Sequence, residues 1–512
     1  MTDPPTRYYL SPRRANVLRP FAGALGGRVL EVGAGLGSVT RFLGELGGQI
    51  TAVEGTRRRA GIARARTRDL PNVQVVWEDG SRLETRERFD AVVLVGVLEY
   101  ARVLLRAGAD SQRILLSHLR GLLTEDGMLV LAIENQLGAK YWAGAGEDHY
   151  GAEFFGLQDC YDDTSVATFG RGSLSRILTE AGFPHQAWYV PIPDYKVPAA
   201  ILSPAGLEAA PRIDAANLLA QNVFWDERKP ARPRFSLEQV WSVLQRNGLL
   251  LEMANSFLVV AGPSPRFRAR LGHDDLLAWT YAVDRAPPYA KESCTRLEGG
   301  RLMVRRRALA PEARAPETPL SWRLYDEPHV EGRNWWLELV AMMAKPGWGL
   351  DHLAAWARCW LAAVLQAAGA DAPPDAGRPL DPHLLLPGRL VEATPLNLVR
   401  DDGGCFRFSD LEWELEGGVE LGFLAYRALG TSLGRLTSVT WSGGGPAPTP
   451  GGLLRGLFGA LGLGVTEADL ERYGRLSAQL QAWAWGSTPR PVPAAAPPPG
   501  AGRVPDGPRP RA

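Results

Sequence analysis

Short apolar runs alternate with amphipathic segments in the first part of the chain, a pattern typical of an α/β fold. The run at 29–32 predicts a strand, and the segment 38–46 predicts a helix because its apolar residues share one face. Similar runs predict four more strands, at 49–53, 73–77, 89–95 and 127–133. Because strands that alternate with helices usually pair in parallel, we predict a parallel sheet with helices on both faces.

The turn after the first strand has the composition of a nucleotide-binding loop. Gly33, Gly35 and Gly37 allow a ligand to approach the backbone, and the N–H groups of the next helix point toward that ligand. The dinucleotide fingerprint needs glycine at its sixth position, where this chain has Ser38. An ordinary turn of an unrelated α/β domain is the alternative interpretation.

With Glu31 two residues before Gly33, the turn reads E-x-G-x-G-x-G and resembles motif I of class I S-adenosylmethionine-dependent methyltransferases. In that family the acid stabilises the methionine part of the cofactor. The resemblance assigns Glu54 to the ribose hydroxyls and Asp79 to the adenine amino group, although Asp79 also suits a helix cap. The implied S-adenosylmethionine-binding residues are Glu31, Gly33, Ala34, Gly35, Gly37, Glu54, Gly55, Asp79, Gly80 and Val97.

Residues after the fourth and fifth strands are candidates for the methyl acceptor site. In class I methyltransferases the end of strand four faces the sulfonium and the acceptor, and here Glu99 and Tyr100 follow that strand. The loop beyond residue 134 is long, aromatic and ionisable, which is typical of lids and acceptor pockets. His149 titrates in the range useful for a base; alternatively, it holds the loop. The predicted catalytic residues are His149, Glu99 and Tyr100, and the predicted substrate-binding residues are Lys140, Tyr141, Asp148 and Tyr195.

Three segments resemble a bacterial subgroup of these methyltransferases: I-E-N-Q-L-G-x-K-Y, E-D-H-x-G and P-x-P-D-Y-K-x-P. Members are often encoded with, or fused to, glycosyltransferases of surface-polysaccharide pathways. The resemblance implies a hydroxyl or amine acceptor on a sugar, glycan or related small molecule, with glycosyltransferases as partners. It also implies a Rossmann-like, seven-stranded sheet in residues 1–262, closed by a strand at 256–261 rather than 199–202, with 203–250 as an insertion.

The second half of the chain loses the strand–helix alternation. Glu392, Asn397 and Asp410 resemble the catalytic core of aminoglycoside-phosphotransferase-like kinases, with glutamate at the position of the first aspartate. We therefore predict an α+β kinase-like accessory domain at 263–440 that has lost catalysis. A linker with short helices is expected at 441–486 and a disordered, Pro-rich tail at 487–512.

Composition narrows the function classes further. The net charge of +1 gives no electrostatic reason for nucleic-acid binding. The four cysteines have no metal-ligand spacing, so we predict neither a metal centre nor a disulfide framework. No membrane insertion and a cytoplasmic location are expected. Two alternatives stay open: a kinase-like phosphotransferase acting through the second half, and a non-catalytic scaffold that binds S-adenosylmethionine.

Overall fold

The computed structural model describes residues 8–369, 379–442 and 448–486. These residues form two compact units. Unit 1 contains the described residues within 1–209, Trp225–Pro230 and Asn247–Tyr281, and unit 2 contains those within Ala210–Phe224, Ala231–Arg246 and 282–512. The predicted Pro-rich tail at 487–512 lies outside the described residues, as does part of the predicted linker.

Unit 1 is built around a mostly parallel sheet in its first half. Strands β1 to β5 pair in parallel in the order β3-β2-β1-β4-β5. Their bounds are Arg28–Val32, Gln49–Glu54, Val73–Trp77, Phe89–Val95 and Leu123–Glu134. The central strands β4 and β5 are apolar and buried on both faces because helices cover both sides of the sheet. The mixed α/β fold is therefore confirmed.

Antiparallel strands extend the sheet beyond β5, in the order β5-β8-β6-β7-β9. Their bounds are His185–Ile192 for β6, Ala200–Leu202 for β7, Ser256–Gly262 for β8 and Leu276–Ala282 for β9. Both segments that were candidates for the seventh strand are strands, namely β7 and β8. A further strand, β9, pairs with β7. The predicted count of seven is therefore too low, since nine strands of the described part of unit 1 join this sheet.

Helices of unit 1 pack apolar faces against the sheet. In Ser111–Leu122, for example, Leu115, Leu116 and Leu119 are fully buried in the core that also contains Leu131. The α-helices of this unit are Ser38–Glu45, Arg57–Arg66, Ala101–Leu105, Ser111–Leu122, Ala139–Trp142, Arg171–Glu180, Pro204–Glu208 and Arg266–Leu271.

Unit 2 combines short antiparallel strands with a tryptophan-rich helical core. Trp336 and Trp360 are fully buried, and their indole N–H groups donate to the carbonyls of Ser432 and Ala393. Its longest strands form the hairpin of Lys291–Glu298 (β10) and Arg301–Ala308 (β11). The shorter strands are Leu320–Trp322, Glu327–Pro328, Arg333–Asn334, Leu385–Leu386, Leu398–Arg400, Phe406–Phe408, Trp413–Leu415 and Val419–Glu420. The α-helices are Ala215–Asn222, Leu237–Arg246, Trp336–Met343, Leu350–Ala367, Leu421–Gly434, Pro450–Ala460 and Glu467–Trp485.

None of the helices in the described ranges combines the length and the apolar character needed to cross a bilayer.

Candidate active site

The carboxyl ends of the parallel strands in unit 1 border a cavity of about 780 Å³. Most of the predicted site residues line it, which agrees with the rule that ligands bind at this edge of a parallel sheet. The predicted residues on its wall are Glu31, Gly33, Ala34, Gly35, Glu54, Gly55, Asp79, Gly80, Val97, Glu99, Tyr100, Asp148, His149 and Tyr195. Gly37, Lys140 and Tyr141 are not among the residues that line this cavity.

The glycines of the turn do two different things. Gly35 has φ +56°, and a Cβ at this position would meet no protein atom within 4 Å because the position faces the cavity. Gly37 has φ +79°, and its Cβ would lie 2.8 Å from the Cα of Ala63. Gly35 therefore keeps space for a ligand, whereas Gly37 allows the helix Ser38–Glu45 to pack closely on Arg57–Arg66.

Glu54, at the end of β2, is held by the backbone at the cavity wall. Its Oε2 accepts from the N–H of Gly35 at 2.9 Å, and its Oε1 accepts from the N–H of Thr56 at 2.8 Å. Each oxygen has a second lone pair, so the oriented carboxylate can still accept from a ligand diol. Asp79 uses its Oδ1 to accept from both the N–H and the hydroxyl of Ser81, which confirms the helix-cap interpretation of this residue.

Glu31 is buried in β1, with Oε2 unpartnered among the described residues. Burial raises the pKa of Glu31 to about 7, although Thr40 and Arg14 act to lower it. A carboxyl in this state can be ionised by a cationic ligand, because a nearby positive charge favours its charged form. The methionine part of S-adenosylmethionine carries such charges.

At the other end of the cavity, three acidic or basic groups come together from separate segments. Glu99 lies in the turn Leu98–Tyr100 after β4, Glu134 is the last residue of β5, and His149 lies in the following loop. One ligand-type atom from each lies within 4.8 Å of the others. Burial, and then the charge of Glu134, raises the pKa of Glu99 well above its usual range. We call Glu99, Glu134 and His149 the acidic corner.

Glu147 fixes the position of His149. Its Oε1 lies 3.1 Å from Nδ1 of His149, and its Oε2 accepts from the backbone N–H groups of His149 and Tyr150. Burial acts to lower the pKa of His149, but the hydrogen bond to Glu147 and nearby carboxylates outweigh it and raise the pKa. The ring of His149 also meets that of Tyr100 edge-on at 5.4 Å.

A second buried layer supports the acidic corner. Lys196 lies 2.5 Å from Oε1 of Glu134 and 3.2 Å from Oδ1 of Asp148, and the Tyr195 hydroxyl donates to Glu134 at 3.1 Å. Lys140 lies 3.0 Å from Oδ2 of Asp148, to which Tyr141 also donates. Lys140 and Tyr141, which do not line the cavity, thus contact and orient Asp148, which does.

Asp148 stays ionised because of these neighbours. Its burial acts against ionisation, but the ammonium groups of Lys140 and Lys196 outweigh it and hold the pKa of Asp148 well below its usual range.

Sequence reasoning missed several residues on the cavity wall, among them Arg14 and Asp226. Arg14, in the leading 3₁₀ helix Pro12–Val17, donates to the carbonyl of Lys196 at 2.8 Å. Asp226 is buried in the stretch that we predicted as an insertion. Neither lies at a strand end or in a motif, so no local signal marks them.

In unit 2, the residues from which we predicted a kinase-like core contact other protein groups. Asp410 lies 2.8 Å from Nζ of Lys291 and 3.0 Å from a guanidinium nitrogen of Arg306. Asn397 donates its side-chain amide to the carbonyl of Glu392 at 3.0 Å. Where a kinase would place a magnesium ion beside the aspartate, Asp410 already has two cationic partners.

Comparison with known families matches residues 30–129 to the family described as "Methyltransferase domain". That segment contains β1 to β4, the glycine turn, Glu54, Asp79 and Glu99. No functionally curated protein matches the sequence.

Solved methyltransferase structures show weak overall similarity to the chain. A TehB-like enzyme from Corynebacterium glutamicum is 13% identical, covering 49% of this chain and 88% of its own, with a TM-score of 0.27. The N-methyltransferase NodS from Bradyrhizobium japonicum is 21% identical, covering 27% and 69%, with a TM-score of 0.23. CcbJ from Streptomyces caelestis is 16% identical, covering 49% and 88%, with a TM-score of 0.29.

The family match includes the elements that border the cavity from the glycine turn to the end of β4. Residues 30–129 therefore belong to a class I methyltransferase domain, and the chain is an enzyme that uses S-adenosylmethionine as its cofactor.

Proposed function

We propose that this enzyme transfers the methyl group of S-adenosylmethionine to a hydroxyl or amine of a sugar, a glycan or a related small molecule. The observation that carries this proposal is the acidic corner, which shares one cavity with the glycine turn and Glu54. An acceptor bound there meets polar and charged groups, which suits a hydroxyl-rich or amino-bearing molecule.

In the proposed cofactor pose, Glu54 accepts from the ribose hydroxyls, Gly33 and Gly35 admit the cofactor against the backbone, and Asp79 binds the adenine amino group. Glu31 compensates the positive charge of the methionine part. Val97 and Gly96 follow β4 and place the sulfonium near Glu99.

The reaction needs alignment more than acid–base machinery. The acceptor oxygen or nitrogen forms a bond to the methyl carbon as the carbon–sulfur bond breaks, and S-adenosylhomocysteine leaves with the electron pair. The acceptor also loses one proton, which His149 takes up or passes to solvent in our proposal. Glu99 and Tyr100 are proposed to orient the acceptor, with Asp148 and Tyr195 behind them.

The acceptor class is tested by incubating the full chain with S-adenosylmethionine carrying a labelled methyl group and panels of nucleotide sugars, free sugars and amino sugars. We expect one panel to gain the label, with release of S-adenosylhomocysteine. Transfer to none of these panels, together with transfer to an aromatic or peptide acceptor, would contradict the glycan proposal and leave the cofactor assignment intact. A glycosyltransferase partner remains part of this proposal, testable by co-purification.

For unit 2 we propose an accessory role without phosphotransfer. This is supported by the ion pairs of Asp410 with Lys291 and Arg306, because two cations already compensate the carboxylate that would have to bind a metal ion. Calorimetry with Mg²⁺ and ATP tests the proposal: no binding is expected, and binding that disappears in Asp410→Ala would favour the kinase alternative.

A further inference from the structure

The acidic corner has the composition and spacing of a metal-binding site. It offers two carboxylates and one imidazole, with one ligand-type atom from each lying within 4.8 Å of the others. The three residues come from the end of β4, the end of β5 and the next loop, so the backbone of a folded sheet brings them together. All three line the cavity and are therefore accessible to a small ligand.

Two of these groups have an oxygen that the protein does not satisfy. Glu99 and Glu134 are each 1% exposed, and Oε2 of each has no hydrogen-bond partner among the described residues. The two side chains that contact Glu134, Lys196 and Tyr195, both reach its other oxygen, Oε1. Buried carboxylate oxygens without donors are costly, and a shared cation would compensate both.

The third group is oriented as metal-bound histidines usually are. Glu147 accepts from Nδ1 of His149 at 3.1 Å, and Nε2 makes no hydrogen bond to any described residue. A carboxylate on one ring nitrogen fixes the tautomer and makes the other nitrogen a better ligand.

Buried acidic groups outnumber buried basic groups around the acidic corner. Six carboxylates have side chains that are buried or nearly so, against three cations. The carboxylates are Glu99, Glu134, Glu147, Asp148, Asp194 and Asp226, and the cations are Arg14, Lys140 and Lys196. A divalent cation at the corner would favour the ionised form of its carboxyl ligands and compensate their charge.

We propose that Glu99, Glu134 and His149 bind a divalent metal ion at the acceptor end of the cavity. Two carboxylate oxygens and one imidazole nitrogen favour Mn²⁺, since carboxylates suit Mg²⁺ and Mn²⁺ whereas imidazole suits the transition metals. Three protein ligands leave positions open for acceptor oxygens. With Nε2 of His149 bound to the metal ion, the acceptor's proton passes to solvent, the second of the two routes named for the reaction above. Only the binding of acceptor oxygens and this proton route rest on the proposed function; ion binding itself does not. The sequence analysis predicted no metal centre. These three ligands come from separate segments of the chain, so no short sequence spacing could have indicated the site.

The test uses the full chain after treatment with a chelator. Mn²⁺ is titrated in, and its free concentration is followed by electron paramagnetic resonance, with Mg²⁺ and Zn²⁺ as competitors. We expect one tight site, and at least about tenfold weaker binding in Glu134→Gln and in His149→Gln. Glu180→Gln, a substitution on the exposed face of the helix Arg171–Glu180, should bind Mn²⁺ as the unmodified protein does. Circular dichroism and S-adenosylhomocysteine binding show whether each variant is folded.

Equal Mn²⁺ affinity in the unmodified protein and in both folded acidic-corner variants would overturn the proposal. So would the absence of saturable binding of all three metals. If primary amines bind at the corner instead, with affinity lost in Glu134→Gln, the carboxylates serve a cationic acceptor and the metal proposal also fails. S-adenosylhomocysteine binding persists in each of these cases, so failure of the metal proposal is distinct from failure of the proposed function.

Discussion

Oε2 of Glu54 accepts a hydrogen bond from the backbone N–H of Gly35, nineteen residues earlier in the chain, at 2.9 Å. This contact joins the end of β2 to the glycine turn and orients the carboxylate along the cavity wall. The glycine turn and Glu54, the two features that predicted a nucleoside ligand from the sequence, are therefore directly connected. Changes to either should impair cofactor binding.

Glu54→Ala should weaken S-adenosylhomocysteine binding about thirtyfold, because the hydrogen bonds that a charged carboxylate accepts from the ribose contribute about 2 kcal/mol. Equilibrium dialysis with labelled ligand measures this. Glu84→Gln, in an exposed loop, is the matched control and should bind normally. Unchanged affinity in Glu54→Ala would place the ribose elsewhere.

Gly35→Ala and Gly37→Ala should separate binding from stability. The methyl group at Gly35 enters the cavity, so cofactor affinity should fall, with a loss of about 1 kcal/mol in stability from the positive φ. At Gly37 the methyl group meets the backbone of Ala63, so the free energy of unfolding should fall by about 2–3 kcal/mol. Urea unfolding measures the change in stability, and calorimetry measures the change in cofactor affinity. A larger loss of stability in Gly35→Ala than in Gly37→Ala, with the larger loss of cofactor affinity in Gly37→Ala, would contradict the roles assigned to these glycines.

The pKa of about 7 at Glu31 predicts a pH dependence of cofactor binding. Below that pH the carboxyl of the free enzyme is mostly neutral; above it the carboxylate attracts the permanently charged sulfonium. The affinity for S-adenosylmethionine should therefore rise between pH 6 and 7.5. In Glu31→Gln it should be lower and nearly independent of pH, which calorimetry at several pH values can measure. A pH profile unchanged by Glu31→Gln would rule out this residue as the cause.

In unit 2, Glu392 predicts a pH-dependent stability. Burial, and then the charges of Glu412 and Asp410, raises the pKa of Glu392 to about 8. The folded state keeps this proton where the unfolded chain releases it, so this residue's contribution to stability is complete below pH 4.5 and is lost as the pH rises to 8. The loss is at most about 1.4 kcal/mol per pH unit.

Glu392→Gln removes the titration. The difference in unfolding free energy between this variant and the unmodified protein should therefore shift in favour of the variant from pH 5 to pH 8, and stay constant above that. Denaturant titrations followed by tryptophan fluorescence measure it. A difference that does not change with pH would show that Glu392 ionises normally in the folded protein.

Local patterns in the sequence predicted the first half of unit 1 well. The five parallel strands occur at the predicted apolar runs because buried parallel strands are continuously apolar and bounded by turns. Ser256–Gly262 pairs beside β5 as preferred. The strand count was wrong because Ala200–Leu202 is only three residues long, and its pairing with β6 depends on the tertiary fold.

The site was predictable where residues lie in a recognisable motif or at a strand end. Glu54, Asp79 and Glu99 do so, and all three line the cavity. Arg14 and Asp226 reach the same cavity through long-range packing that no spacing encodes. Lys140 shows the converse: it belongs to a motif of the aromatic loop, but its side chain is fully buried behind Asp148.

The most direct test of the central claim is calorimetry of the full chain with S-adenosylmethionine, in competition with S-adenosylhomocysteine. We predict one binding site per chain, displacement of one ligand by the other, and loss of binding in Gly35→Asp, whose side chain would fill the cavity beside Glu54. Absence of binding by both ligands, or binding that survives Gly35→Asp unchanged, would contradict the placement of the cofactor at the glycine turn.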